Sequence, residues 1–241
     1  MSSNADQTLP PAVTEAIATT PQAPRVTAAV AIYRQLHAAI LRNDLAPGTA
    51  LQDKVLSAEF SVSRTPVREA LIRLAEDGLV DIFPQSGTFV SRIKADAIPE
   101  VLDIRQALEC LAVKRATASA HPTDIARLDK ILARQSILAE AGDMMPFHDA
   151  DELFHETIGL IAERPGLWTL VKQVKAQIDR TRMLTLPAPG RMAQVVAEHR
   201  AIRDAIAAGD AASAQTAMTV HLHRVIPDLA RLRGEFPAYF T

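Results

Sequence analysis

Apolar residues recur at three- and four-residue intervals over most of the chain, and the interruptions divide it into elements. Residues 1–24 hold Pro10, Pro11, Pro21 and Pro24 among Ser, Thr, Ala and Gln, with neither helical nor strand periodicity, and read as a disordered tail. From Ala28 a stripe of Val30, Tyr33, Leu36 or His37, and Ile40 predicts a helix ending near Asn43, ahead of Pro47-Gly48. A short second helix is expected from Asp53 to Phe60 with Val55, Leu56 and Phe60 inward. A third is expected from Ser63 or Arg64 to Asp77, packing through Val67, Ala70, Leu71 and Leu74 and stopped by Gly78. The period then shortens. Leu79–Phe83 and Thr88–Ser91, separated by Pro84-Gln85-Ser86-Gly87, predict a small β-hairpin.

Beyond Ile98-Pro99 the pattern is helical to the end. Breaks at His121-Pro122, Ala141-Gly142-Asp143, Arg164-Pro165-Gly166, Pro187–Gly190 and Gly209-Asp210 leave six segments: 99–119, 123–140, 146–162, 167–184, 191–208 and 211–233. Helices of this length with short connections pack as an antiparallel bundle. The expected fold is therefore mainly α. A winged helix-turn-helix over residues 25–94 precedes an all-helical bundle over 97–235.

Composition adds little to this picture. The 241 residues are 48% hydrophobic and 22% charged, as in a globular protein. The net charge of −2 hides a gradient: residues 25–95 carry nine Lys/Arg against seven Asp/Glu, and the rest of the chain is acidic. Nucleic-acid binding therefore has to come from a local surface, not from bulk charge. The single cysteine, Cys110, excludes an intramolecular disulfide framework or a Cys-rich zinc ribbon, and its helical surroundings suggest a buried thiol. No apolar run reaches membrane-spanning length and no signal-peptide pattern opens the chain, so the expected location is the cytoplasm.

The most informative stretch is Ser63-Arg64-Thr65-Pro66-Val67-Arg68-Glu69-Ala70-Leu71. Ser63 is placed to cap the third helix, and Pro66 lies in its first turn, where a missing N–H costs little. Arg64, Thr65 and Arg68 share the face opposite Val67, Ala70 and Leu71, at the end that a recognition helix pushes into the major groove. With Pro47-Gly48, Leu74 through Gly78-Leu79-Val80, and Gly87-Thr88-Phe89-Val90, the region over residues 27–92 resembles the DNA-binding domain of the GntR family of bacterial transcription regulators. The resemblance implies phosphate contacts from Lys54 and Ser63, and base and backbone contacts from Arg64, Thr65 and Arg68. It also implies a wing tip that enters the minor groove at Gly87. Phe60-Ser61 departs from the Leu-Gly that many relatives carry, and Lys54 replaces a common arginine.

Seven histidines are present: His37, His121, His148, His155, His199, His221 and His223. Asp151 and His155 are four residues apart, about 40° around a helix, and point inward on an otherwise apolar segment with Leu153, Phe154 and Ile158. His199 lies 11 residues before Asp210 and His221 lies 11 residues after it, each about 16 Å from the turn between two helices. An antiparallel pair puts them at one height. Spacing leaves two readings: a centre for a divalent metal, most readily Zn²⁺ with Ni²⁺, Mn²⁺ or Co²⁺ also suitable, or three unrelated histidines. Asp151-x-x-Phe154-His155, Glu198-His199-Arg200-Ala201-Ile202 and Ala217-Met218-x-x-His221-Leu222 look like the FCD ligand-binding domain of the FadR subfamily of GntR regulators. In metal-binding members these positions supply the ligands, which here are Asp151, His155, His199 and His221. The resemblance makes Arg105 the pocket arginine for a small carboxylate effector bound at an open, water-filled metal position. The alternative is an external salt bridge from Arg105 to Glu109. His148, His37, His121 and His223 stay outside the site. Glu163-Arg164-Pro165 stands where relatives often have Gly-Asn-Pro.

The expected function is a ligand-responsive DNA-binding transcription regulator, a repressor of a catabolic operon, acting as a homodimer on a short palindromic double-stranded operator. A metal-dependent hydrolase using the Asp/His₃ set is the alternative, weakened because the motifs offer no spare carboxylate as general base. A winged helix that binds protein is a third reading, and the Arg64/Arg68 face argues against it.

Overall fold

The computed structural model describes residues 27–224 and 229–241; the expected disordered tail lies outside the described residues. Helix α1 (Ala28–Leu41) begins at Thr27, whose hydroxyl accepts the Val30 N–H at 3.3 Å. Its buried stripe is Ile32, Leu36, Ile40 and Leu41. This corrects the predicted Val30–Tyr33 side. The Tyr33 ring is held half-buried at the edge, its hydroxyl donating to Asp77 at 2.6 Å and its face covered by Arg73. Helix α2 (Asp53–Glu59) buries only Leu56, and Val55 is 55% exposed, against expectation: a seven-residue helix has one inward turn to offer. Helix α3 (Arg64–Glu76) buries Val67, Ala70, Leu71 and Leu74 as predicted, and Gly78 follows it at φ +69°.

Strands β1 (Val80–Phe83) and β2 (Gly87–Val90) pair antiparallel, Val80 opposite Val90 and Phe83 opposite Gly87. The hairpin is the predicted wing. The segment after α1 adds a third edge that the pattern did not show: Gly48 and Leu51 donate to Val90 and Thr88, and Val90 donates back to Thr49. Gly48, at φ +84°, makes the turn into that edge.

A 3₁₀ turn (Ala95–Ala97) leads into α4 (Ile98–Ser119), α5 (Pro122–Ala141) and α6 (Met144–Ile161). The segment expected as one helix over 167–184 is two, α7 (Pro165–Val174) and α8 (Ala176–Thr185), parted at Lys175 with ψ −3°. The helical ladder gives way where Lys175 turns its ammonium inward to Glu152 and Asp179. Helices α9 (Arg191–Ala207) and α10 (Ala211–Arg224) form the expected antiparallel hairpin around Gly209. Within the last predicted segment, helix is described up to Arg224 and again over α11 (Leu229–Glu235); residues 225–228 lie outside the described residues. The C-terminus returns to the linker after the wing: Ile93 donates to the Tyr239 carbonyl at 2.7 Å and accepts from the Thr241 N–H at 3.0 Å. Cys110 is half-buried, not buried, with Sγ 3.4 Å from the Thr219 hydroxyl. No helix among the described residues is long and apolar enough to cross a membrane.

Candidate metal centre and nucleic-acid interface

On the head, Lys54, Ser63, Arg64, Thr65, Arg68 and Gly87 are all exposed, on α2, on the first turns of α3 and on the wing. The dry side of α3 fixes this arrangement, because Val67 and Leu74 are fully buried and so hold Arg64, Thr65 and Arg68 outward. Arg68 donates to Asp53 on α2 at 2.6 Å, a surface pair that orients the guanidinium at little energetic cost to break. Ser63 occupies the N-cap position with extended backbone, but its side chain makes no capping hydrogen bond. Its expected capping role is therefore corrected, and its hydroxyl is available at the helix N-terminus. Gly87 sits at φ +118°, a conformation that side chains rarely adopt, so the wing turn needs glycine there.

In the helical domain, α6, α9 and α10 bring Asp151, His155, His199 and His221 together, one donor atom of each within 4.8 Å of the others. All four are buried, at 3% exposure or less. His199 Nε2 lies 3.3 Å from His221 Nε2 and 3.4 Å from Asp151 Oδ1, and His155 Nε2 lies 3.8 Å from Asp151 Oδ2. Phe154 stacks on His199 and Trp168 on His155, locking both rings.

The proton positions follow from the outer contacts. His221 Nδ1 faces the Glu198 carboxylate at 2.8 Å, His199 Nδ1 faces the Gln135 amide oxygen at 3.0 Å, and His155 Nδ1 faces Glu109. Those oxygens only accept, so each Nδ1 carries the proton and each Nε2 presents a lone pair inward. Two such lone pairs 3.3 Å apart repel unless a cation lies between them. His155 Nε2 has no hydrogen-bond partner at all. For bonds of 2.0–2.1 Å, tetrahedral Zn²⁺ sets neighbouring nitrogens about 3.3 Å apart. The donor set fits a first-row divalent ion.

Charge completes the centre. Arg182 grips both oxygens of Asp151, Arg105 pairs with Glu109, and Arg191 donates to Glu198 at 2.9 Å, with Arg224 3.7 Å from the same carboxylate. Burial alone would raise the Asp151 and Glu109 carboxyls. The guanidiniums of Arg182 and Arg105 outweigh it, holding Asp151 well below its usual range and Glu109 down at about 2. Burial pushes the His221 imidazole down to about 4 against the pull of Glu198, and drives His199 well below its ordinary value with His221 adding to the effect.

Three expectations change here. Arg105 does meet Glu109, but the pair is buried instead of external, and in this conformation its guanidinium is engaged. In place of the expected open, water-filled position, Arg182 covers both oxygens of Asp151 in this conformation. Spare carboxylates do exist, Glu109 and Glu198, yet both are bound to imidazole Nδ1 atoms and orient rings. His148 stays out of this cluster, His223 bonds Gln106 on the surface, the His121 N–H donates to Asp124 at the start of α5, and His37 packs on Tyr33. The sequence reading missed Gln135 and Arg182, and named Glu109 and Glu198 without their role in orienting the rings. Only Glu198 carried a signal: adjacent to His199, it projects about 100° away and so toward the neighbouring helix.

Comparison with known proteins agrees with both halves of the chain. Residues 28–90 match "Bacterial regulatory proteins, gntR family", and residues 100–224 match "FCD domain". An uncharacterized HTH-type transcriptional regulator in an unstable DNA locus of Streptomyces ambofaciens is 38% identical over 210 residues, 87% of this chain and 88% of that protein. The HTH-type transcriptional repressor RspR of Escherichia coli K12 is 33% identical over 87% of this chain and 92% of its own. The solved structure of E. coli McbR/YncC shares the fold at TM-score 0.74, covering 88% of this chain and 100% of that one at 24% identity. The chain belongs to the GntR family of bacterial transcription regulators, in the subfamily with an FCD domain, and that family consists of regulators, not enzymes.

Proposed function

We propose that this regulator is a repressor whose grip on a palindromic operator is set by a small carboxylate effector at a divalent metal held by Asp151, His155, His199 and His221. The single observation that carries this is the set of three imidazole Nε2 lone pairs turned on one point, each fixed by an acceptor behind its ring. A bound metal supplies a Lewis-acid centre with Zn²⁺ as the best fit, and Ni²⁺, Mn²⁺ or Co²⁺ as alternatives. The surrounding protein charges nearly balance, with Asp151, Glu109 and Glu198 against Arg105, Arg182 and Arg191. A divalent ion therefore leaves the centre cationic, and an anion is the ligand that restores balance. Arg105 and Arg182 are the two cations that can exchange a protein carboxylate for that of the effector. An effector of this kind is a metabolite acid, and the genes it would release are those that consume it.

On the DNA side, Arg64, Thr65 and Arg68 read bases and backbone, Lys54 and Ser63 hold phosphate, and Gly87 brings the wing to the minor groove. One head covers too little DNA for tight specificity, so a homodimer on two half-sites is the working form. The similar RspR of E. coli is a transcriptional repressor, which supports the sign of regulation. The test is metal analysis of purified protein followed by gel shifts on its own promoter with sugar acids, hydroxy acids and dicarboxylates. Expected are about one ion per chain and release of DNA by one acid class. Metal-free protein with an unchanged response to an acid overturns the metal assignment.

A further inference from the structure

The head and the helical domain meet across a cavity of about 520 Å³, lined from the head by Tyr33, His37 and Asp77 and from the helical domain by His148, Glu152 and Asp179. None of these serves the buried centre. A ring nitrogen of His148 and carboxylate oxygens of Glu152 and Asp179 lie within 4.8 Å of one another. Two of the three are buried: His148 is 4% exposed and so is Asp179. His148 Nδ1 is buried with no hydrogen-bond partner, an imidazole nitrogen withheld from solvent beside two carboxylates. The position between the carboxylates is held by the chain's own cation, as Lys175 Nζ sits 2.7 Å from Glu152 and in contact with Asp179. Lys175 does nothing for the unpartnered imidazole. Its protons go to the two carboxylates, and no hydrogen bond from it reaches His148 Nδ1.

We propose that His148, Glu152 and Asp179 form a second divalent-cation site at this seam, for which the Lys175 ammonium is the built-in competitor. Two carboxylates and one imidazole, opening on a cavity that supplies water as further ligands, suit an ion of the Mn²⁺ or Zn²⁺ type. Lys175 has somewhere to go, since its Nζ already lies 5.7 Å from the Trp168 ring centroid, within reach of a cation–π contact. The site joins α6 to α8 where His37 and Tyr33 of α1 face the same cavity. An ion there would tie α6 to α8 in the wall that faces the head, apart from whatever occupies the buried centre.

The test uses full-length protein whose buried centre is first loaded with Zn²⁺, and Mn²⁺ alone as the probe, followed by electron paramagnetic resonance. Lys175→Met removes the competitor and should bind Mn²⁺ at least about tenfold more tightly than wild type. Lys175→Met combined with Asp179→Asn should lose that gain. Equal Mn²⁺ affinity in all three proteins overturns the proposal. Wild-type protein gives an answer that needs no variant. Mn²⁺ should broaden the imidazole signals of His148 and His37 ahead of those of His121 and His223. Uniform broadening of all four, or none, also overturns it.

Discussion

In the head, the buried side chains are Ile32, Leu36, Ile40, Leu56, Val67, Leu71, Leu74 and their apolar neighbours; Ser91, at its edge, is the one polar residue fully buried among described residues 27–95. In the helical domain, Arg105, Glu109, Gln135, Asp151, His155, Arg182, Glu198, His199 and His221 are buried together. The head keeps its charges outside for a ligand that is itself a surface. The helical domain encloses its charges, each bound to another, so its packing and its chemistry depend on the same atoms. Changes to the head's functional residues should therefore leave the fold alone, whereas changes to the centre should not.

Breaking one enclosed pair gives the largest effect. Arg182→Met in chelator-treated protein leaves the Asp151 carboxylate buried without its bidentate partner, and should lower unfolding free energy by about 3–5 kcal/mol. Added divalent metal should recover much of that loss, since the ion takes over the neutralising charge. Denaturant midpoints with and without metal measure both. A loss that metal does not reduce would mean that Asp151 faces no ion.

Acid should separate the regions next. His221 titrates near 4 in the folded metal-free protein against 6.5 ordinarily, because burial disfavours its charge. Between those values the unfolded chain binds the proton and the folded chain does not. The stability His221 confers is complete above pH 6.5 and is lost as pH falls toward 4, by about 3 kcal/mol. Glu109, held at about 2 against 4.5, adds a further loss below pH 4.5. In the head, His37 alone among the described residues is an imidazole, likewise lowered by burial but only partly buried, and the apolar core behind it has no titratable group. Tryptophan fluorescence from Trp168, which packs on His155, should follow the acid transition. A flat stability profile from pH 7 to 4 would show that the folded and unfolded chains bind equal numbers of protons, and so that burial does not hold the histidines down.

The head's test is smaller and concerns binding. Arg64→Ala or Arg68→Ala should weaken operator affinity by about 1–3 kcal/mol, readable by gel shift, with the melting temperature unchanged. Affinity left intact in both would remove α3 from the groove. The same contrast explains what was legible in the sequence. The exposed residues proposed to face DNA follow from local periodicity and the Ser63–Leu71 stretch, and the inward histidines follow from equal spacing about Gly209-Asp210. The residues that orient them do not: Gln135 comes from α5, Glu109 from α4 and Arg182 from α8, and no local pattern says which helix packs behind which ring. The break at Lys175 was hidden for the same reason, since its partner Glu152 lies on another helix.

The smallest effect has one instance in each region. Ser61, in the turn between α2 and α3, has φ +53°, and Glu163, between α6 and α7, has φ +55°. Both are exposed, and both stand where, by the family resemblance, many relatives carry glycine. A non-glycine residue in the left-handed region costs about 1–2 kcal/mol. Glycine relieves that cost but loses about 0.4–1 kcal/mol through the freer unfolded chain. Ser61→Gly and Glu163→Gly should therefore each gain about 0.5 kcal/mol. Ser61→Ala and Glu163→Ala, which keep the Cβ, should gain nothing. Because neither side chain takes part in a core, the two gains should be equal and additive although the regions around them bury opposite chemistry. Thermal unfolding of the two single glycine variants and the double variant measures this. A gain at Ser61 without one at Glu163 would mean that the loop before α7 is strained for a purpose that the turn before α3 does not share.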